Sequence, residues 1–414
     1  MTTTIINKNK KPNVPNSTDK GNVIRNVPHL RFPEFEGEWE KCKLGDYGKV
    51  VTGNTPPTKD IENYENGTYL WASPADLGTI KSITETKTML SAQGFSKTRT
   101  LPKGSVLVTC IGSTIGKAGM ATKEMSTNQQ INSIVVNDNN DNEFVYYAIQ
   151  SAFPRYLSSI AVQAVPIISK SAFELLPNNR PYLQEQKKIG KFLSMLDERI
   201  ATQNKIIEDL KKLKSAIIEN HYNQTEKQTA CIADLGEPFS VGNLAKDDLT
   251  ETGMPCVIYG ELFTTYGETI SQIESHTNKT TGMIMSKKRD LLFPSSTTVD
   301  AMSLIAPSVI NVDGVILGGD MFGIHINHNY NAQYLSYYFN HIAKRQLAKF
   351  AKGSTIIHLH YADIEKAKLL LPSLEEQNRM AKCLMSLDTK IDLEDEYLNI
   401  LNCQKTYLLR QMFI

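Results

Sequence analysis

The chain has 414 residues, 45 Lys plus Arg against 44 Asp plus Glu, a net charge of +1, and 41% hydrophobic and 21% charged residues. That length holds two or three domains with sizeable cores, and near-neutrality excludes a protein that coats nucleic acid through its overall field. No apolar run approaches the roughly 18 residues of a membrane-spanning helix, Met1–Asn9 lacks a secretory core, and six scattered cysteines without a Cys-x-x-Cys pair exclude zinc ribbons and thioredoxin-like sites.

A cytoplasmic protein with inert thiols is expected. Residues 1–28 are rich in Asn, Lys, Thr and Pro and read as an unfolded tail, solubilising or else a weak phosphate-contacting arm; they carry +4, leaving −3 on the rest. Residues 29–178 form a first globular domain. Strands are predicted over 104–112 and 132–137 and a helix from Glu143 to Ser159. The register changes at Pro181, and residues 179–224 read as a helical spacer. Ile189, Leu196, Gln203, Leu210 and Ile217 share one heptad position, with Leu193, Ile200 and Ile207 beside it, a coiled-coil seam. Residues 225–371 form a second mixed domain, with strands over 290–294 and 321–326 and a helix from Ala332 to Phe350. Residues 372–414 are a second helical spacer with its seam at Met380, Leu387, Glu394, Leu401 and Leu408, flanked by Leu384 and Ile391.

The two halves repeat. Pro181-Tyr182-Leu183-Gln184-Glu185-Gln186 aligns with Pro372-Ser373-Leu374-Glu375-Glu376-Gln377 at an offset of 191, which also matches Leu196-Asp197 with Leu387-Asp388 and Lys214 with Lys405. Gly53-Asn54 aligns with Gly242-Asn243, and Ala161–Ile168 with Ala351–His358, more weakly. A period near 190 is a duplicated domain and not a solenoid. The fold class expected is α+β: two globular domains joined by two long helical regions that pair as an antiparallel coiled coil, with a pseudo-twofold internal duplication.

Catalytic patterns fail on inspection. Gly112-Ser113-Thr114-Ile115-Gly116-Lys117-Ala118 is one residue short of a phosphate loop and has Ala where magnesium needs Ser or Thr. Asn54-Thr55-Pro56-Pro57-Thr58 lacks the aromatic of an amino-methyltransferase motif. Asp76 with Glu85-Thr86-Lys87 has nuclease-like spacing that arises readily by chance. His358 and His360, on a strand, point to opposite faces, and His325 and His328 have no acidic neighbour in sequence. No metal site and no catalytic residue is expected.

The Pro-x-Leu-x-Glu-Gln entries, each followed by Leu-Asp and a long helix, and the opening Arg31-Phe32-Pro33-Glu34-Phe35, Trp39 and Lys43-Leu44-Gly45-Asp46 make the chain resemble the specificity subunit of a type I restriction–modification enzyme. The resemblance covers nearly everything after about residue 29. It implies a non-catalytic subunit whose two target-recognition domains each read one half of a bipartite double-stranded DNA target. It implies that the helices set the spacer and dock two methyltransferase subunits, to which motor-nuclease subunits add. It also implies no cofactor in this chain, with S-adenosylmethionine, ATP and Mg2+ belonging to the partner subunits, and no membrane.

Bases are read by hydrogen bonds to their edges, and phosphates are held by Lys and Arg. The candidate DNA-binding residues are Ser113, Thr114, Lys117, Asn128, Gln129, Gln130, Gln163 and Lys170 in the first domain. In the second they are Lys287, Lys288, Arg289, Ser296, Thr297, Thr298, Lys352, Ser354, Thr355 and His358. The helix-pairing residues are Ile189, Leu193, Leu196, Ile200, Leu210, Ile217, Met380, Leu384, Leu387, Ile391, Leu401 and Leu408. Gln203 and Glu394 read as register setters. The competing class is a coiled-coil adaptor that binds no DNA.

Overall fold

The structure, a computed structural model, describes residues 26–78, 80–159 and 167–414. Most of the expected tail, Gln163 and the stretch 161–166 of the weak repeat lie outside the described residues. Within the expected tail, Asn26 is described and tied down: its amide donates to the Trp39 carbonyl and to Asn179 Oδ1. The chain divides into two compact units, residues up to Ala201 with Ile400–Ile414, and Thr202–Asn399.

The first unit is built on a five-stranded sheet. Its strands are β1 (Gly48–Thr52), β2 (Ser82–Ile83), β3 (Val106–Thr109), β4 (Ala118–Ala121) and β5 (Ile131–Val136), in the spatial order β1-β5-β3-β4-β2. β2 and β4 run parallel, and the other neighbours are antiparallel. The Val-Leu-Val of β3 is fully buried, the pattern of a strand covered on both faces. The second unit repeats this plan. Its strands β6 (Gly236–Ser240), β7 (Thr269–Ile270), β8 (Asp290–Pro294), β9 (Ser308–Ile310) and β10 (Met321–Ile326) lie in the order β6-β10-β8-β9-β7, again with one parallel pair, β7 and β9. A second sheet accompanies each, of four strands in the first unit and five in the second. In the first unit, Tyr69–Ala72 pairs parallel with Met125–Thr127, and in the second, Met254–Ile258 pairs parallel with Ile316–Gly318. A two-stranded ladder precedes each long helix: Glu40–Lys43 with Pro177–Arg180, and Gln228–Cys231 with Lys368–Leu371. The duplication read from a few aligned residues is therefore a duplication of topology.

The long helices are α1 (Leu183–Gln224) and α2 (Leu374–Gln411). In the second unit α1 and α2 run antiparallel. Gln203 Nε2 donates to the Glu394 carbonyl at 3.0 Å and to its carboxylate, and further along His221 Nε2 meets Glu376 at 3.0 Å. In the first unit Lys405 meets Asp197 at 2.6 Å. The residues expected on the seam differ in burial, and Met380 and Leu384 pack into the core of the second globular part with Tyr334 and Tyr338. Ile189, Leu193, Leu196, Met380, Leu384, Ile391, Leu401 and Leu408 are buried, while Ile200, Leu210, Ile217 and Leu387 are half-buried. The repeat period of 3.5 continues through Lys214 and His221, which are also buried. Charged residues at seam positions are what hide this part of the stripe from a hydrophobic pattern.

The sequence expectation of one helix from Ala332 to Phe350 is corrected. The helix stops at His341, where the N–H groups of both Ile342 and Ala343 turn onto the Tyr338 carbonyl, and a separate turn follows over Lys344–Leu347. The helix at Asn142–Ser159 is as expected.

Candidate nucleic-acid interface

In the first unit, the segment after β3, the segment before β5 and the segment after β1 converge. The Cys110 N–H donates to the Gln130 carbonyl at 2.7 Å, and the Ile168 N–H to the Cys110 carbonyl at 2.8 Å. The Asn54 N–H donates to the Thr127 carbonyl at 2.9 Å. This approach requires Gly53, since a Cβ there would sit 2.2 Å from the Thr127 carbonyl oxygen. Ser113, Thr114, Lys117, Gln129 and Gln130 thus share one edge; Ser113, Lys117 and Gln129 are exposed, Thr114 and Gln130 half-buried. Asn128 is buried and serves the edge from behind, its amide donating to Gln130 Oε1 at 3.0 Å. Thr55 Oγ1 donates to Gln129 Oε1 at 2.5 Å, and exposed Arg99 donates to the Thr52 carbonyl. Sequence reasoning missed Thr55 and Arg99, although the Gly53-Asn54 repeat marked their neighbourhood. Lys170 opens the short helix Lys170–Glu174 and pairs with Glu174 at 3.6 Å.

The second unit builds the same edge with different residues. The Ser295 N–H donates to the Asp320 carbonyl at 2.7 Å and the Leu359 N–H to the Ser295 carbonyl at 2.9 Å. A small ladder pairs Ser296 with His358 and Thr297 with Ile357, and Lys352 bridges His358. Ser296, Thr297, Thr298, Lys352, Ser354, Thr355 and His358 are therefore brought together. Ser296 itself is buried, Thr297 is half-buried, and the other five are exposed.

Lys287, Lys288 and Arg289 precede β8 while Ser295 follows it, so a five-residue strand, roughly 17 Å, separates the two halves of the candidate set. Arg289 is held by the turn after β10. Its guanidinium donates to the carbonyls of Asn327 at 3.0 Å and Tyr330 at 2.9 Å and lies 2.6 Å from His328 Nδ1. It is committed to holding that turn.

Two histidine expectations are corrected as well. His325 Nδ1 lies 2.6 Å from Asp290 Oδ1, because β8 and β10 pair these positions across 35 residues of chain. His358 and His360 have near-parallel rings 6.1 Å apart, because the strand ends at His358 and His360 caps the next helical turn.

Beyond the corrected helix end the sequence runs through a basic strip of Lys344, Arg345 and Lys349 before Lys352, and Lys344 and Arg345 line one cavity with Glu219 and Tyr222 of α1. Arg345 and Lys349 are exposed, with no carboxylate at ion-pair distance among the described residues, whereas Lys352 pairs with Asp363 at 2.5 Å. Expecting an unbroken helix to Phe350 concealed this strip.

The repeated sequence signatures hold each globular part onto its helices. Gln186 and Gln377, both buried, each donate to the carbonyl of the entry proline, Pro181 and Pro372, at 2.9 Å. Their Oε1 atoms accept the N–H of Asp141 and Asn331, at the start of the domain helix. Glu185 accepts both Arg31 Nε and Nη2, at 2.8 and 2.7 Å, and Trp39 Nε1. Asp197 accepts Tyr147 Oη at 2.6 Å and pairs with Lys405; Asp388 accepts Tyr337 Oη at 2.5 Å and pairs with Lys214 at 2.5 Å. Burial, and then the neighbouring Asp, push both tyrosines well above their ordinary range.

In the second unit Lys214 also meets Glu268 at 3.1 Å, and His341 meets Glu268 at 2.9 Å. Burial opposes ionisation of Glu268, but His341 and Lys214 more than offset it and hold the carboxyl at about 2. A lowered folded-state value stabilises the fold above the ordinary value of 4.5 and is lost as the pH falls from there through about 2. Glu268→Gln is therefore expected to lower urea stability at pH 7 and to become indistinguishable from wild type near pH 2. A deficit that stays constant over that range contradicts this linkage.

The patterns discounted in sequence have structural roles. Gly112–Lys117 joins the antiparallel strands β3 and β4 instead of leading into a helix N-terminus. Asp76, Glu85 and Lys87 do line one cavity of about 420 Å³. Both oxygens of Asp76 are occupied, however, one by Ser73 N–H and Oγ and the other by the Lys87 N–H. Burial pushes the Cys42 and Cys256 thiols up to about 11 and Cys110 to about 12.

The helices keep apolar residues on their outer faces. Phe192, Met195, Ile400 and Tyr407 are exposed in the first unit, and Ile206, Leu213, Met385 and Leu393 in the second. No described helix is long and apolar enough to cross a membrane.

Residues 36–212 and 225–402 both match the family described as type I restriction modification DNA specificity domain. The MjaVIII specificity subunit of Methanocaldococcus jannaschii is 24% identical over 401 residues, spanning 88% of this chain and 89% of the relative. The EcoR124I/EcoR124II specificity subunit of Escherichia coli is 28% identical over 222 residues, about half of each chain. The crystal structure of the S subunit of a type I restriction–modification system from M. genitalium superposes with a TM-score of 0.61 at 17% identity, covering 94% of this chain and 99% of that one. With two matched segments that coincide with two copies of one topology, the chain belongs to the type I restriction modification DNA specificity family.

Proposed function

We propose that this chain is the sequence-reading subunit of a type I restriction–modification complex, performing no catalysis itself. Each unit reads one half of a bipartite DNA target through the edge formed by its converging segments. The observation that carries this reading is that one strand order places a polar edge at the same point of both units, with different side chains on each. A repeated frame with unlike polar groups suits two half-sites of unlike sequence. The helices set the gap between half-sites. Exposed apolar residues on α1 and α2 of each unit suit the docking of two methyltransferase subunits, which bring S-adenosylmethionine, while motor-nuclease subunits bring ATP and Mg2+.

The net charge of +1 leaves phosphate contacts to local strips. Lys344, Arg345 and Lys349 are the strip for the second half-site. Each phosphate contact contributes about 0.9 to the slope of log affinity against log salt. Replacing all three with Ala in the assembled complex is expected to weaken binding to every sequence alike and to reduce that slope by up to about 3. A salt titration of duplex binding measures both, and an unchanged slope removes the strip from the interface. Absence of sequence-dependent binding by the wild-type complex would favour the adaptor reading instead.

A further inference from the structure

We infer that Asp320 is a base-reading residue of the second unit, accepting a hydrogen bond from an exocyclic amino group, cytosine N4 foremost. The inference rests on the DNA-reading function proposed above and assigns one contact within it.

Asp320 immediately precedes the central strand β10, as Gln130 precedes β5. The backbone of each position does the same work: Gln130 accepts from the Cys110 N–H and Asp320 from the Ser295 N–H, both at 2.7 Å. Any residue supplies that carbonyl, so the frame leaves the side chain free to differ. The position lies within each polar edge, next to the segment carrying Ser113 and Thr114 in one unit and Ser296 to Thr298 in the other. Before Asp320, Gly319 has φ +92°, and a Cβ there would stand 3.0 Å from Tyr259 Cδ1 and 3.2 Å from the Leu244 carbonyl oxygen. The backbone that presents Asp320 is thus set by a residue that must be glycine.

The carboxylate itself is out of keeping with its neighbours. Asp234, Asp248, Asp290, Asp300 and Asp363 each cap a backbone N–H, of Cys231, Ala245, Lys287, Ser303 and His360 respectively. Asp320 caps no backbone N–H among the described residues. It is half-buried, and among the described residues no donor or cation lies within bonding distance of its carboxylate. An unpaired carboxylate that loses water on binding is costly, and beside phosphates it is repelled. A base amino group is the DNA partner that offsets both costs, and carboxylates in the major groove accept from cytosine N4. Gln130, a neutral amide oriented by Asn128, suits a different base at the corresponding place of the first half-site.

The test uses the complete complex with its partner subunits. Its target is first mapped by genomic methylation, then binding is measured to duplexes carrying every single-base change in both halves. Asp320→Asn is expected to lower discrimination at one base pair of the second half by about tenfold or more. All other positions, the first half and the thermal midpoint should stay unchanged. Gln130→Glu should alter the first half alone. The inference is overturned if Asp320→Asn leaves every preference intact, weakens all sequences equally, or lowers the thermal midpoint, which would mark a structural role. A wild-type complex that ignores the second half altogether would instead refute the reading on which the inference stands.

Discussion

Replacing Lys214 with Met is expected to destabilise the second unit by about 3 kcal/mol. Lys214 is a seam residue with a side chain only 8% exposed, and its ammonium is shared by Asp388 at 2.5 Å and Glu268 at 3.1 Å while lying 4.8 Å from the centre of the Tyr337 ring. Removing one partner of a buried ion pair costs about 3–5 kcal/mol, because the remaining charge loses its compensation. The low end applies because Asp388 and Glu268 keep 25% and 22% exposure and His341 still serves Glu268.

Lys405 holds the equivalent place in the first unit, but its side chain is 22% exposed and its partner Asp197 also receives Lys81 at 4.0 Å and Tyr147 Oη. Lys405→Met is expected to cost less, about 1 kcal/mol, the upper end of an exposed pair. Urea denaturation of each variant gives both numbers. Equal losses would show that burial does not govern this repeated pair. A loss of assembly with methyltransferase subunits at wild-type stability would show that the lysines face the partners instead of the seam.

The helices and the duplication were legible because both write themselves in local pattern. A period of 3.5 needs only the order of apolar residues, and Pro-x-Leu-x-Glu-Gln recurs because Gln186 and Gln377 close the same pair of backbone bonds. Lys214 and His221 were not legible as seam residues, since their partners Asp388, Glu268 and Glu376 come from elsewhere in the chain.

The candidate edge was half legible. Glycine signals and polar clusters pointed to Ser113–Thr114 and Ser296–Thr298, which the strand order does place at equivalent points. The setting of Arg289 was not legible, because its guanidinium donates to the carbonyls of Asn327 and Tyr330, which lie 38 and 41 residues further along the chain. Lys344, Arg345 and Lys349 were missed because a helix break made by two N–H groups sharing one carbonyl leaves no mark in composition.

The central claim is that two independent readers share one chain and that the helices alone set the gap. Exchanging residues 44–176 for the matching segment of a relative with a different target leaves the ladder of Glu40–Lys43 with Pro177–Arg180 in place, and both long helices intact. Methylation mapping in cells expressing the exchanged chain with its partner subunits reads the outcome. The account predicts a new first half-site, an unchanged second half-site and an unchanged gap. A change in the second half-site or in the gap, or retention of the original first half-site, would contradict it.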